Sequence, residues 1–160
     1  MKNKTKKYWL MKSEPGTYSI QDLKKSGKDL WDGVRNYQAR NFMMKDMQVG
    51  DEVLFYHSNA NPPGMAGLAC VSKKAQPDPT AFDPKSKYYD PRSTKENPRW
   101  FCVEVKFKSI FKKFISIEKL RREKALSKML LLKKGQRLSV MPVTKAEYMY
   151  ILKLSNKKEN

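Results

Sequence analysis

The chain has 160 residues, with 34 Lys and Arg against 16 Asp and Glu, for a formal charge of +18. That length suits one domain with a real core, and 39% hydrophobic residues with seven Phe, eight Tyr and three Trp exclude a disordered basic tail. The charge exceeds what solubility needs and is the electrostatic footprint of a protein that meets polyanions, nucleic acid above all; a generally basic proteome is the alternative.

In chain order, YWLMK (8–12) is short, aromatic and apolar, and predicts a buried strand. It runs into SEPGTY, where Pro15 and Gly16 mark a turn. Ser19 with Asp22 predicts an N-capped short helix that stops near Gly27, and DLWDG reads as a tight connection. From Arg35 to Met47, Ala39, Phe42, Met43 and Met47 recur at helical spacing. EVLFYHS (52–58) and MAGLACVS (65–72), separated by NANPPG, predict an antiparallel pair of strands. Residues 73–98 hold prolines at 77, 79, 84, 91 and 98 and have no period, so they predict a long loop. With Phe82, Tyr88 and Tyr89 in it and Trp100 just beyond, this has the make-up of an ordered binding loop or lid.

WFCVEVKFK (100–108) alternates cleanly, Phe101, Val103, Val105 and Phe107 on one face and Glu104, Lys106 and Lys108 on the other; SIFKKFI either continues it or pairs with it. SIEKLRRE and KALSKMLLL predict helical pieces ended by Gly135, and RLSVMPVT (137–144) a last strand. Thr144 and Glu147 form a capping box that opens a final helix with Tyr148, Ile151 and Leu152 inward. Five or six strands separated by short helices predict a mixed α/β (α+β) domain with a curled, barrel-like sheet. Residues 1–7 and 155–160 are expected as basic, disordered ends around a domain at 8–154.

Cys70 and Cys102 sit in apolar strands and read as small buried hydrophobes, with a disulfide open if those strands pair. No apolar run nears the ~20 residues of a membrane span, and YWLM is too short for a signal-peptide core. The expectation is a soluble cytoplasmic protein, nucleoid-associated in a bacterium or nuclear in a eukaryote. Two separated cysteines and one histidine, His57, do not supply a zinc site. No G-x-G-x-x-G or Walker loop is present, and no cofactor is implied. Ser13, Ser58 and Cys70 are available nucleophiles, but no nucleophile-elbow context surrounds them.

The unusual residues lie elsewhere. SEP, WDGVRN, YHSN and Trp100 all fall at strand ends or in adjacent turns, and in a curled sheet several strand ends converge on one rim. Such a rim can sandwich a planar ring on Trp or Tyr and read its edge with amides, hydroxyls or acids, as splayed or flipped nucleobases are bound. Each residue also has a plainer role open to it. Trp31 fits a core, Asn36 an N-cap, Arg35 and Arg40 solvated charges or partners of Asp32 and Asp46, and Tyr88 and Tyr89 pins for the loop.

YWLMKSEP, WDGVRNYQARNFM, GDEVLFYHSN, PPGMAG, PDPTAFDP, YYDP, PRW and RLSVMPVT come in an order that resembles EVE-domain proteins, over about residues 8–154. The resemblance implies a PUA-like pseudo-β-barrel of five to six mainly antiparallel strands surrounded by short helices, related to YTH and ASCH domains. It implies a nucleic-acid-binding, non-catalytic reader of a modified base in DNA or RNA, modified cytosine in DNA first. By the same resemblance the base pocket comprises Ser13, Glu14, Trp31, Asp32, Val34, Asn36, His57 and Ser58, with Tyr88 and Trp100 at the rim. Lys12, Arg35 and Arg40 are the expected phosphate contacts. No metal or membrane partner is expected, and a monomer is favoured. Gln76 and Met141 depart from the family, which often has an aromatic and a Gln there. Two other readings stay open: a small hydrolase acting on a modified nucleotide with Glu14 or His57 as general acid or base, and an RNA-processing accessory module.

Overall fold

The computed structural model describes residues 5–156. It has six strands, β1 (Tyr8–Ser13), β2 (Lys28–Leu30), β3 (Glu52–His57), β4 (Gly64–Pro77), β5 (Phe101–Ser116) and β6 (Val140–Val143). Four short α-helices accompany them: α1 (Ile20–Ser26), α2 (Tyr37–Asn41), α3 (Ile117–Arg121) and α4 (Lys145–Asn156). The strands form one sheet in the order β2-β5-β4-β3-β1-β6. Only β1 and β3 pair in parallel, Leu10 opposite Leu54 and Ser13 opposite His57. The other four pairings are antiparallel, so the expected α+β class and mainly antiparallel sheet hold.

Every residue of β3 is buried, which fits a central strand covered on both faces. Leu10, Met11, Val53, Leu54, Phe55, Met65, Met43 and Ile151 are among the fully buried side chains of the core. Each such aliphatic or aromatic side chain contributes about 1.5–3 kcal/mol on burial. The β4–β5 register breaks four times, between Met65 and Gly67, Leu68 and Ala69, Val71 and Lys73, and Lys73 and Gln76. Such bulges bend and twist a strand pair, and here they give the two long strands their curl.

Several sequence expectations are corrected. Residues 73–77 belong to β4, because β5 pairs with them despite Pro77. SIFKKFI continues β5 rather than forming a new strand. The helix expected at 35–47 is α2 followed by a wider turn over Phe42–Asp46, closed by the Met47 N–H on Phe42 O at 2.9 Å. KALSKMLLL forms two isolated three-residue turns, Lys124–Leu126 and Leu130–Leu132. Leu126 and Leu131, five positions apart, would stand about 140° apart on an α-helix, yet both are buried. Cys70 and Cys102 are free, since the register sets them opposite Lys106 and Gln76.

The capping box of α4 forms as predicted: Thr144 N–H donates to Glu147 Oε1 at 3.0 Å and Glu147 N–H to Thr144 Oγ1 at 3.1 Å. The helix carries Ser155, buried, and Asn156, which were expected in the tail; residues 157–160 lie outside the described residues. At the other end, residues 1–4 also lie outside them, while Lys7 donates to Asp51 and accepts from the Glu52 N–H. The described residues contain no helix long and apolar enough to cross a membrane.

Candidate base-binding pocket

The turn after β2 is the centre of the site. Trp31 N–H donates to Val103 O at 2.8 Å, extending the β2–β5 ladder by one bond. The Trp31 side chain, 8% exposed, sets its ring edge-on to Phe55 at 5.3 Å and 78°. Gly33 follows with φ of +81°, a conformation that glycine alone adopts freely. A Cβ there would also stand 2.7 Å from the Tyr88 ring, so the position needs glycine twice over.

Asp78 ties the long loop to this turn. It is fully buried and accepts from Gly33 N–H at 2.8 Å, Arg35 Nη1 at 3.0 Å, Thr80 N–H at 2.8 Å and Thr80 Oγ1 at 2.6 Å. Burial pushes its carboxyl pKa up, but the donors from Thr80, Gly33 and Arg35 outweigh it and hold the pKa below the usual carboxylate value. Arg35 spends all five of its N–H donors within the protein. Nε and Nη2 bond Tyr88 O at 3.1 and 2.7 Å, Nη2 also bonds Thr80 Oγ1, and Nη1 bonds Val34 O and Asp78. The 73–98 segment is thus ordered beyond β4, as its aromatics led one to expect. Trp100 Nε1–H on Asp90 at 2.7 Å closes its far end.

The end of β1 brings the second wall. Ser13 Oγ donates to Tyr18 O at 2.6 Å, and Glu14 Oε1 accepts from Asn59 Nδ2 at 2.7 Å. Tyr18 O–H donates to Asp29 Oδ2 at 2.8 Å, and burial together with that bond pushes the phenol up to about 12. Between the two walls lies a cavity of about 630 Å³. Trp31, Tyr88 and Tyr18 give it aromatic surface, Glu14, Asp29 and Asp32 acidity, and Lys12, Lys87 and Arg137 cationic rim. Burial lowers the Lys12 amine from its ordinary value. Burial, with the carboxylates of Asp78 and Asp29, raises the carboxyl of the solvent-accessible Asp32 against the pull of Arg35.

Nine of the sequence-predicted residues meet at this cavity: Lys12, Ser13, Glu14, Trp31, Asp32, Val34, Arg35, Ser58 and Tyr88. Four do not line it. Asn36 is the N-cap of α2, its Oδ1 accepting from Ala39 N–H at 2.9 Å. Trp100 is buried behind the loop and stacks on Tyr37 at 4.8 Å. Arg40 donates to Arg99 O at 2.7 Å and to Asn41 Oδ1, and lies over the Tyr37 ring at 4.6 Å. His57 is buried with Nε2 accepting from Ile20 N–H at 3.1 Å, which satisfies the first turn of α1. Met141, a departure from the family pattern, is buried in β6, and Gln76 is exposed on β4. Sequence reasoning missed Thr17, Tyr18, Asp29, Leu30, Gly33, Lys87, Arg137 and Ser139. Gly33 alone carried a legible signal, as the D-G step of a turn.

The His57 bond has a measurable consequence. Burial lowers the imidazole below its usual value of 6.5, so below about pH 6.5 the unfolded chain binds more protons than the folded one. Its contribution is full above that pH and is lost as the pH falls through the lower folded value. The melting temperature of the wild type is expected to drop between pH 7 and 5. His57→Gln, which keeps an acceptor but does not titrate, should flatten that drop; an identical slope in the variant would contradict this role. No other histidine is present to blur the window.

An EVE domain model matches residues 7–154. Thymocyte nuclear protein 1 of Homo sapiens is 43% identical over 168 residues, which cover 94% of this chain and 74% of the relative. A crystal structure of human THYN1 in complex with 5-methylcytosine containing DNA superposes with a TM-score of 0.89 at 41% identity, over 96% of this chain and 99% of that one. A crystallised protein from Pseudomonas syringae is 49% identical with a TM-score of 0.89, over 92% and 99% of the two chains. The YTH domain of Zygosaccharomyces rouxii MRB1, 16% identical with a TM-score of 0.56, over 97% of this chain and 87% of that one, shares the fold alone. With a matching model over nearly all its length and relatives above 40% identity, the chain belongs to the EVE-domain family and has its PUA-like fold.

Proposed function

We propose that the protein is a non-catalytic reader that draws a modified nucleobase, modified cytosine in DNA first, into the cavity beside Trp31 and Tyr88. The observation that carries this reading is the human relative, alike over 96% of this chain, that is bound to 5-methylcytosine containing DNA. The cavity agrees with it: about 630 Å³ lies within the roughly 300–1,000 Å³ of small-ligand pockets. Groups that hydrolysis would use are committed elsewhere. His57 Nε2 accepts from Ile20, Ser13 Oγ donates to Tyr18 O, and one Glu14 oxygen holds Asn59. The cavity is lined by this chain alone, and a monomer is the acting state in this proposal. It works where nucleic acid is, at the nucleoid in a bacterium or in the nucleus of a eukaryote.

Phosphate contacts pass from the residues expected in sequence to others. Arg35 and Arg40 are bonded into the protein, whereas the side chains of Lys12, Lys87 and Arg137 line the cavity and make no hydrogen bond or ion pair among the described residues. Lys12 lies over Tyr56 and Lys87 over Tyr88, contacts that leave the ammonium donors open. Binding to a duplex with one 5-methylcytosine, measured from low to moderate salt, tests this. Each of Lys12→Ala, Lys87→Ala and Arg137→Ala is expected to reduce the slope of log K against log salt by about 0.9. Arg40→Ala should leave the slope alone. Unchanged slopes in all three cavity variants would place the phosphates on another face. The reader itself is tested in the same assay by comparing methylated with unmethylated duplex: equal affinity would overturn it.

A further inference from the structure

The cavity's polar groups are not equally available to a ligand. Asp29 accepts from Tyr18 O–H and from Leu30 N–H, one on each oxygen. Glu14 has one oxygen on Asn59, and Ser13 Oγ is committed to Tyr18 O. Ser58, Ser139 and Thr17 line the space with hydroxyls, which donate or accept to suit and therefore discriminate little. Asp32 differs from all of these. It follows Trp31 directly in the turn, lines the cavity, and has no hydrogen bond or ion pair among the described residues. An ionised carboxylate is acceptor-only, so it asks for a donor from whatever enters.

We infer that Asp32 reads the amine edge of the captured base, accepting from an exocyclic N–H of cytosine type and disfavouring the keto edge of thymine or uracil. The inference rests on the base-reader proposal and adds the residue that sets which base is taken. Cytosine presents its N4 amine as a donor where thymine presents the O4 acceptor, and acidic side chains pair with that amine. A carboxylate set against O4 instead leaves two acceptors facing each other with water excluded, which is costly. The charged groups around Asp32 favour such a donor. Burial, then Asp78 and Asp29, push its carboxyl up against the pull of Arg35, whose five donors are all spent on other acceptors, so a ligand N–H supplies the hydrogen bond that this carboxylate lacks. The next residue, Gly33, holds the turn in place by donating its N–H to Asp78 at 2.8 Å.

Four single-stranded oligonucleotides that differ at one position, carrying cytosine, 5-methylcytosine, uracil or thymine, separate this inference from the reading it rests on. Cytosine against uracil and 5-methylcytosine against thymine measure the amine edge; the other two comparisons measure the methyl group. Wild type should prefer the amine base by about tenfold or more, and Asp32→Asn, which can donate to O4, should bring that ratio within about twofold of unity. The variant should keep the wild-type melting temperature, because the side chain it replaces is accessible and unbonded. An unchanged amine ratio in Asp32→Asn would overturn the assignment, even if its affinity for all four rose together through lost charge repulsion. So would a wild type with no amine preference. A wild type with the amine preference but no methyl preference would sink the modified-base reading and leave Asp32 in its role.

Discussion

Arg35→Ala is expected to destabilise the protein by about 3–5 kcal/mol and to remove base discrimination along with it. The variant strips the ion partner from Asp78, a fully buried carboxylate, and losing one member of a buried pair is typically costly on that scale. It also releases Tyr88 O and Thr80 Oγ1, so the loop that carries Tyr88 loses its hold on the Trp31 turn. Arg35→Lys should recover only part of the loss. A lysine keeps the charge near Asp78 but cannot reach four acceptors in one plane as the guanidinium does. Chemical denaturation reads the stability, and competition between methylated and unmethylated oligonucleotides reads the pocket. An Arg35→Ala protein of wild-type stability whose only change is a lower salt slope would show the residue to be a phosphate contact after all.

The second large effect is expected at Trp31. Truncation to alanine removes a side chain 8% exposed that packs on Phe55, at a cost of about 3–5 kcal/mol. It also removes the stacking surface for a base, worth about 1–3 kcal/mol, so affinity for the modified base should fall by roughly tenfold or more. Trp31→Phe separates the two roles, since it keeps an aromatic face and most of the packing. That variant should be near wild type in both measurements, with alanine well below. In each, salt-sensitive background binding should persist, because Lys12, Lys87 and Arg137 remain. Full discrimination by a folded Trp31→Ala protein would mean that the base binds elsewhere.

What the sequence made legible was local. The alternation of β5, the apolar run of β3 and the T-x-x-E box of α4 are read off neighbouring residues, and all three stand in the structure. Ser13 and Glu14 of SEP and the first five residues of WDGVRN line one cavity, with Asn36 outside it. Two of the failures come from long-range pairing. β2 has three residues, too few to show a period, and exists because β5 binds it. Arg137 and Ser139 reach the pocket because β6 flanks β1, and a strand order is not written in spacing.

Residue type misled where one side chain can serve two ends. Arg35 and Arg40 look like phosphate ligands in sequence, and only partner distances show that both are tied to backbone carbonyls and polar side chains. Asn36 and His57 look like edge readers and turn out to satisfy helix starts, at α2 and α1. Asp32, by contrast, stood out in sequence only as part of WDG, and its lack of a partner is visible only once Asp29 and Glu14 have been given theirs.

A structure of the protein with a DNA duplex carrying one 5-methylcytosine should show that base out of its stack, its ring against the Trp31 indole within the cavity and its N4 amine toward Asp32. The flanking phosphates should lie on the side of Lys12, Lys87 and Arg137. A methylated base left stacked in the duplex with the cavity free of it, or DNA held by a different face, would contradict the account.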